Sequence, residues 1–424
     1  MPNGKRTRTT SKTTDSSKAP KNTERKDVKA KKAMTDADRK AAVAAKLAVE
    51  LLQLATTLEP ITRSTPAVVG ARADTNFYAT FLRSGQGDCI VFKTPGGKTV
   101  LVDCGSTTLD TTTGEAHAQY IWNSLNVPRY LLGSSTIDVM VFTHPDEDHY
   151  NYLTSVLDED RTGRKMTVGR VYHSGDSQDY VGAIDWLRKH MADATKIFKV
   201  VHNLEVDPSD QSVVRGEITL DGTAVVAATA GDQVDRLDDK GGIRIIAEPT
   251  CTVTILAGGV AHDYKTDKDT KKARNRASLV LLIEAHGKKL LLCGDATTST
   301  EHYLIAAGKY AAPTKTRITG VDVMHIAHHG SKVTSGSKEL LDVVKPKTEA
   351  IISAAREGST SHHLPAWPTV EKYIDNFTGR VPATAHKGWC WDMNVSRYKV
   401  QQMDIPVPVY ITGSHGNLDI AWTA

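Results

Sequence analysis

From about residue 76 onward, short apolar runs alternate with amphipathic stretches. Residues 99–102 and 137–142 form apolar runs of strand length bounded by polar or turn residues, whereas residues 114–125 repeat apolar side chains at helical spacing. This alternation predicts an α/β fold with two sheets and helices outside them. It favours one long domain at residues 76–424.

The same patterns place most of the other elements of this domain. Further strands are predicted at residues 77–82, 89–93, 168–172, 279–284, 288–293, 321–327, 349–353, 407–412 and 418–421. Antiparallel strands are expected within residues 217–230 and 243–255. Helices are predicted at residues 150–157, 180–190, 301–307 and 338–344.

Five of the predicted strands run into polar residues of the kinds that bind metals. These are Asp103, the run 144–149, Asp295, the run 328–331 and the pair His362 and His363. Because the ends of strands in packed sheets lie along a common edge, we expect these residues to meet at one site.

The densest of these runs is His144-Pro145-Asp146-Glu147-Asp148-His149, directly after a predicted strand. It brings two imidazoles and two carboxylates, with a further acid between them, into one loop. That arrangement is typical of a metal site, and carboxylates so close together would repel one another without cations. The alternative is a solvated turn that happens to be rich in charge.

Composition narrows the class of protein. The chain has 424 residues, of which 40% are hydrophobic, enough for at least one large core. No apolar run is long enough to span a bilayer and no signal peptide opens the chain, so we expect a soluble, cytoplasmic protein without membrane partners. Five cysteines without a Cys-x-x-Cys pair fit a reducing compartment.

The positive charge is concentrated at the N-terminus. Residues 1–40 hold thirteen Lys or Arg against five Asp or Glu, so this segment carries +8 and the rest of the chain −4. We predict a disordered basic tail at residues 1–34, a helix at 35–57 and a linker at 58–75. The tail could bind nucleic acid through its phosphates or be simply solvated. The helix could dock on the domain, bind a protein partner or self-associate.

These motifs carry a resemblance to a known family. The loop at 144–149 resembles the His-x-His-x-Asp-His signature of the metallo-β-lactamase fold hydrolases, with Asp146 in place of the second histidine. Residues 81–105, 275–295 and 327–331, and the chain from His363 onward, resemble the hydrolase domain of the ComEC family of competence proteins, without its membrane channel. The resemblance implies a metallo-β-lactamase-like αββα sandwich of two mixed β-sheets with helices on the outer faces.

The resemblance also implies a centre of two divalent metal ions. Carried over to this sequence, it gives metal 1 the ligands His144 and Asp146, metal 2 the ligands Asp148, His149 and His328, and Asp295 as the bridge between them. His328 is preferred to His329 because it comes first after its strand. His173, at the end of a short strand, is the candidate for the third ligand of metal 1, with core packing or a supporting role as alternatives.

This ligand set favours phosphodiester chemistry. Asp146 makes the site harder and more anionic, which shifts the expected metal from zinc toward manganese or magnesium. We expect a phosphodiesterase or nuclease acting on DNA or another phosphodiester, with Asp148, Asp295 and His363 as catalytic residues. His363 would protonate the leaving oxygen or hold a phosphate, or is an ordinary loop histidine.

Several further residues have open interpretations. Asp103 would orient a metal ligand, with direct binding of a metal as the less favoured alternative. Trp389 and Trp391 would stack on a base or pack in the core. A basic run would grip a nucleic-acid backbone or be a solvated loop; it comprises Lys265, Lys268, Lys271, Lys272, Arg274 and Arg276.

Two rival functions remain at this point. The same dinuclear centre could hydrolyse a lactone, a thioester or an amide. Alternatively, the chain is a non-catalytic module that binds nucleic acid or a protein partner and uses its metal structurally.

Overall fold

A computed structural model describes most of the chain beyond residue 72. The described residues are 73–106, 111–175, 179–191, 196–200, 218–220, 223–224, 242–258, 274–305, 314–355, 362–379, 381–393 and 398–424. They all lie within one compact unit, residues 51–424. The predicted tail and N-terminal helix, most of the linker, and the basic residues at 265–272 lie outside the described residues.

The strands follow the apolar runs of the sequence. In chain order they are β1 (Phe77–Phe81), β2 (Ile90–Lys93), β3 (Thr99–Val102), β4 (Thr136–Phe142), β5 (Thr167–His173), β6 (Ile197–Val200), β7 (Ile218–Leu220), β8 (Thr223–Ala224), β9 (Ile243–Glu248), β10 (Cys251–Ala257), β11 (Val280–Ala285), β12 (Lys288–Leu292), β13 (Val323–His325), β14 (Glu349–Ile352), β15 (His386–Asp392), β16 (Lys399–Ile405), β17 (Val409–Ile411) and β18 (Leu418–Trp422).

The helices lie mostly between the strands. They are α1 (Thr111–Leu125), α2 (Leu153–Leu157), α3 (Glu159–Thr162), α4 (Ala183–His190), α5 (Thr298–Ile305), α6 (Thr314–Ile318), α7 (Lys338–Val344), α8 (Trp367–Asn376) and α9 (Thr412–His415). Two 3₁₀ turns, Glu147–His149 and His328–Gly330, follow strands β4 and β13.

Two large mixed sheets form the centre of the fold. In the described part of the chain, the first sheet has the strand order β18-β1-β2-β3-β4-β5-β6-β7-β8, and β3 to β6 run parallel. The second has the order β17-β14-β13-β12-β11-β10-β9, with β12, β13, β14 and β17 parallel. Strands β15 and β16 pair separately as an antiparallel hairpin.

Three apolar clusters divide the molecule into layers. One cluster joins the facing sides of the two sheets, with Phe92 and Val141 from the first and Val253 and Leu281 from the second. A second packs helices such as α5, α7 and α8 on the outer face of the second sheet. A third packs α1, α2 and α4 on the outer face of the first. The predicted αββα sandwich of two mixed sheets is therefore confirmed.

Some element boundaries differ from the sequence prediction. Of the helix predicted at 150–157, only Leu153–Leu157 is helical, as α2, and the 3₁₀ turn Glu147–His149 precedes the predicted range. Residues 243–255 belong to two paired strands, β9 and β10. Helix α8 and the hairpin β15–β16 were not predicted; α8 carries a proline in its first turn, where the missing backbone N–H has no helical partner to lose. Within the described ranges no helix has the length and apolar character needed to cross a bilayer.

Candidate metal centre

The carboxyl ends of six parallel strands meet at one edge of the sandwich. In the first sheet, β3, β4 and β5 end at Asp103, at the 144–149 loop and at His173; in the second, β12, β13 and β14 end near Asp295, His328 and His363. All the predicted site residues therefore follow strands that end at this edge, as expected from the strand pattern.

The two sheets approach each other closely at this edge. Gly294, directly before Asp295, has φ +49°, and a Cβ atom there would lie 2.8 Å from the Thr143 Cβ. The Leu279 N–H donates to the Thr143 carbonyl at 2.9 Å, and the His328 N–H donates to the Gly294 carbonyl at 3.0 Å. The Gly294 and Leu279 contacts join the end of β4 to the second sheet, and the His328 contact joins the ends of β12 and β13. His144 and Asp295 therefore come together although 150 residues separate them in the sequence.

The backbone of the first sheet fixes the position of Asp148 and His149. The Asp88 N–H donates to the Asp148 carbonyl at 3.2 Å, and the Cys104 N–H donates to the His149 carbonyl at 2.8 Å. Gly105 lies so close that a Cβ atom there would be 2.3 Å from the carbonyl carbon of Asp148. Only glycine fits at this position.

Asp295 lies at the centre of the cluster and faces different neighbours with its two oxygens. Oδ1 is 3.4 Å from Nε2 of His149 and 3.5 Å from Nε2 of His329, which is itself 3.4 Å from Oδ2 of Asp148. Oδ2 is 3.7 Å from Nε2 of His144 and 3.5 Å from Nε2 of His328. One carboxylate thus separates two groups of candidate ligands.

Several of these buried atoms lack hydrogen-bond partners within the described residues. They are Nε2 of His144, Nε2 of His149, Nε2 of His329 and Oδ1 of Asp295. Unpaired polar atoms are rare in protein interiors because each is costly to bury. Atoms of His144, His149 and Asp295, and atoms of Asp148, His149 and His329, lie close enough together to hold a metal ion. The donor set fits divalent cations.

The ionisable groups of the cluster shift one another's pKa values. Burial raises the pKa of Asp295, but the imidazoles of His328, His329 and His149 outweigh it and hold that pKa well below its ordinary range. Burial lowers the pKa of His329, yet Asp295 and Asp148 raise it to about 9. Protons on the histidines and divalent cations therefore compete for the same carboxylates.

A further shell of hydrogen bonds orients His149. Its Nδ1 lies 2.8 Å from Oδ2 of Asp103, whose two oxygens also accept from the N–H and the hydroxyl of Thr143. Because a carboxylate accepts, the proton of this bond lies on Nδ1, and Nε2 faces Asp295. This carboxylate–histidine contact is the usual support of a metal-binding imidazole.

The sequence comparison identifies the family at this point. A family model described as "Metallo-beta-lactamase superfamily" matches residues 82–355, which is more than half of the chain. The chain belongs to the metallo-β-lactamase superfamily. Members of this superfamily are metal-dependent hydrolases that bind divalent metals, and the described His and Asp groups could hold such ions.

Solved structures of this fold resemble the chain at low identity. They include the metallo-β-lactamase fold protein YhfI from Bacillus subtilis, a diphosphatase from the PhnP family and an isothiocyanate hydrolase from Delia radicum gut bacteria. Their identities are 12%, 12% and 10%, with TM-scores of 0.36, 0.34 and 0.36. Each comparison covers 82% of this chain and 99%, 98% and 99% of the other. No curated protein matches the chain.

Within this metallo-β-lactamase centre, the structure distinguishes the two adjacent histidines. His329 is buried against Asp148 and Asp295 Oδ1, and its Nδ1 donates to the Ser353 carbonyl at 2.8 Å. His328 instead lies toward Asp295 Oδ2, with its side chain 19% exposed. His329, and not the predicted ligand His328, is therefore the histidine that lies beside Asp148. Sequence order could not show this, because both residues have positive φ values near +50° and the chain turns sharply between them.

His173 occupies the end of β5, in register with Phe142 of β4. It is fully buried, its Nδ1 lies 3.3 Å from the Ser174 carbonyl, and its ring packs edge-on against Tyr180. A backbone carbonyl at Nδ1 is a common support for a histidine that binds metal through Nε2. Its role as the third ligand of metal 1 stays a prediction.

His363 lies in a loop next to the His328–Gly330 turn. The Ala366 N–H donates to the Gly330 carbonyl at 3.0 Å, which ties the loop to the residue after His329. The ring of His363 packs edge-on against Trp391 at 4.6 Å and Tyr398 at 5.0 Å between centroids. Trp391 is buried in this contact, whereas Tyr398 is half exposed.

Arg274 belongs to the predicted basic run and lies at the rim of the metal centre. Its Nη1 is 3.7 Å from Oδ1 of Asp146 and its Nη2 is 3.3 Å from Oδ1 of Asp179, with the side chain 45% exposed. Arg276, by contrast, is buried. The rim beside Asp146 therefore carries a guanidinium group open to solvent.

Two residues near the centre were given no role from the sequence, Asp88 and His325. Asp88 ends the run Ser84-Gly85-Gln86-Gly87-Asp88, and His325 ends β13, three residues before His328. The sequence features that could have indicated a role were the position of Asp88 at the end of a glycine-rich loop and that of His325 at the end of a central strand.

Proposed function

We propose that this protein is a metal-dependent phosphodiesterase or nuclease that acts on DNA or another phosphodiester through a dinuclear centre. The observation that carries the proposal is the position of Asp295, whose two oxygens face separate groups of histidines and carboxylates. A carboxylate in that position suits a bridge between two cations.

The contacts of Asp295 separate the histidines proposed as ligands, because His144 faces Oδ2 whereas His149 and His329 face Oδ1. The first cation would be held by His144 together with Asp146 and His173, and the second by His149 and His329 together with Asp148. The contact between His144 Nε2 and Asp146 Oδ2, at 3.7 Å, supports the first set. The 3.4 Å contact between His329 Nε2 and Asp148 Oδ2 supports the second.

Two divalent cations at these positions would lower the pKa of a bound water and stabilise the oxygens of an in-line displacement. Three carboxylates among the ligands make the site rich in oxygen, which favours manganese or magnesium more than an all-histidine site would. Zinc remains compatible with the histidines.

Basic residues around the metal centre favour an anionic substrate. Arg274 places a half-exposed guanidinium beside Asp146, where it can donate to a phosphate oxygen. His328 is more exposed than His329 and faces Oδ2 of Asp295, as His144 does. His363 would hold a phosphate or protonate the leaving oxygen from the adjacent loop.

The proposed nucleic-acid partner also rests on the sequence. The resemblance to the hydrolase domain of the ComEC family favours DNA, and the basic segment at residues 1–40 can neutralise phosphates. Deletion of residues 1–57 should weaken DNA binding and its dependence on salt while cleavage of a small diester is retained. Equal DNA affinity with and without the segment would remove it from the proposal.

The function is tested with purified protein loaded with Mn²⁺ or Zn²⁺ on DNA and on bis-p-nitrophenyl phosphate. We expect cleavage of both, and a loss of at least about a hundredfold in Asp148→Ala and in Asp295→Ala. Asp342→Ala is a suitable control, because Asp342 is an exposed partner of Lys338 on α7. Intact phosphodiesters, turnover of esters alone, or activity that survives both substitutions would overturn the proposal.

A further inference from the structure

A chain of buried polar side chains connects the two sheets beneath the candidate metal centre. Asp88 lies shortly before β2 of the first sheet, and His325 and Ser353 lie at the ends of β13 and β14 in the second. All three residues are at most 1% exposed. Oδ1 of Asp88 is 3.4 Å from Nε2 of His325, which lies 3.2 Å from the hydroxyl oxygen of Ser353.

Both ends of this chain reach histidines of the centre. Oδ2 of Asp88 is 3.9 Å from Nδ1 of His149. The Ser353 carbonyl accepts from Nδ1 of His329 at 2.8 Å. The contacts therefore run from His149 through Asp88, His325 and Ser353 to His329, and connect the two histidines proposed to hold the second cation.

The backbone of Asp88 adds a second connection to the same loop. Its N–H donates to the Asp148 carbonyl at 3.2 Å, and its carbonyl accepts from the Gly105 N–H at 3.0 Å. Asp88 thus contacts the loop of Asp148 and His149 with its main chain and the second sheet with its side chain.

The apolar surroundings of Asp88 and His325 argue against a purely structural role for this pair. The ring of His325 packs against Phe81 at 5.6 Å between centroids, within the interface of the two sheets, where apolar residues dominate. Removing a carboxylate and an imidazole from water is costly, and apolar residues of similar volume often stabilise a core as well or better. A pair at this position therefore suits a role in fixing geometry more than one in stability.

We propose that Asp88 and His325 form a positioning pair that sets the separation of His149 and His329, and so the affinity of the second cation site. The pair does this by joining the strand ends of the two sheets on which those histidines lie. This inference rests on the dinuclear centre proposed above and assigns Asp88 and His325 to its support, without contact to substrate.

The test measures Mn²⁺ binding calorimetrically, site by site, in wild type, Asp88→Asn, His325→Gln and the double variant. Each single substitution should weaken the second Mn²⁺ about 10- to 100-fold and leave the first within about threefold. The double variant should bind the second Mn²⁺ with about the same affinity as the more affected single variant, because both substitutions break the same connection. Thermal unfolding of the metal-free proteins is recorded in parallel.

Asp322→Asn provides the control, because Asp322 accepts from the Lys289 N–H near the amino ends of β12 and β13, at the opposite ends of these strands from the centre. It should reduce the thermal stability and leave Mn²⁺ affinity unchanged. Unchanged Mn²⁺ binding in Asp88→Asn, or equal weakening of both sites together with a lower unfolding temperature, would overturn the positioning role. Absence of Mn²⁺ binding by the wild type would instead overturn the dinuclear centre itself.

Discussion

Asp103 Oδ2 lies 2.8 Å from Nδ1 of His149, and the carboxylate is held in place by two hydrogen bonds from Thr143. Asp103 has φ +55°, a backbone conformation that few residues other than glycine adopt. The chain turns sharply after β3 and so places the carboxylate behind the imidazole. Such a support sets both the tautomer and the direction of the histidine.

Asp103→Asn should weaken metal binding about 10- to 100-fold while the fold is retained, because the amide no longer offers a charged acceptor to Nδ1. Calorimetric titration with Mn²⁺ measures the effect. Asp322→Asn is the control, since Asp322 accepts from the Lys289 N–H away from the centre. Equal Mn²⁺ affinity in wild type and Asp103→Asn would show that the contact does not orient a ligand.

His329→Ala and His328→Ala should differ in metal content. His329 faces Asp148 and Asp295 Oδ1, so its removal should lower the metal content from two ions toward one per chain. His328→Ala should retain both ions and lose turnover instead. Elemental analysis after gel filtration distinguishes the two variants. The reverse pattern would restore the ligand order expected from the sequence.

Metal binding should strengthen as pH rises. The pKa of His329 is raised to about 9 when no cation competes, so its proton stabilises the folded metal-free protein at low pH, and this contribution is lost as pH rises through about 9. A cation needs the unprotonated imidazole. The Mn²⁺ affinity should therefore increase between pH 6.5 and 9, by up to about tenfold per pH unit for each proton displaced.

Calorimetry in two buffers of different ionisation enthalpy measures the protons released in that titration. Proton release that declines as pH rises through about 9 agrees with the raised pKa of His329. An affinity that is independent of pH, with no proton release, would contradict it.

Gly105→Ala should damage the centre through the backbone. A Cβ atom at this position would lie 2.3 Å from the carbonyl carbon of Asp148, and relief of that overlap requires displacement of Asp148 and His149. We expect a loss of roughly 1–3 kcal/mol in unfolding free energy together with weaker Mn²⁺ binding. Denaturant unfolding and metal titration measure the two effects.

Gly287→Ala separates the loss of stability from the loss of metal affinity. Gly287, in the turn between β11 and β12, has φ +73° and open space around its Cβ position, so the substitution should cost roughly 1–2 kcal/mol by backbone strain alone. Its Mn²⁺ affinity should equal that of the wild type. Wild-type metal binding in Gly105→Ala would show that the loop tolerates the displacement.

The sequence alone predicted the sandwich because its strands are short apolar runs with clear limits, and β3 and α7 were predicted with their observed bounds. It also predicted that Asp103, His144, Asp148 and Asp295 would meet, because residues after parallel strands share an edge. Hairpin β15–β16 was not predicted, since its polar and aromatic residues do not follow the strand period clearly. Helix α8 was missed although its buried Trp367, Val370 and Tyr373 recur at helical spacing.

The sequence thus determined which strand ends carry candidate ligands, because a polar run directly after an apolar strand is a local feature of the chain. Tertiary structure decided which imidazole faces which oxygen of Asp295, and that Asp88 reaches His325 across the sheet interface. Those relationships depend on the left-handed turns at His328 and His329 and on the distance between two packed sheets. Neither is encoded in the spacing of residues along one strand, because both arise only when distant segments pack together.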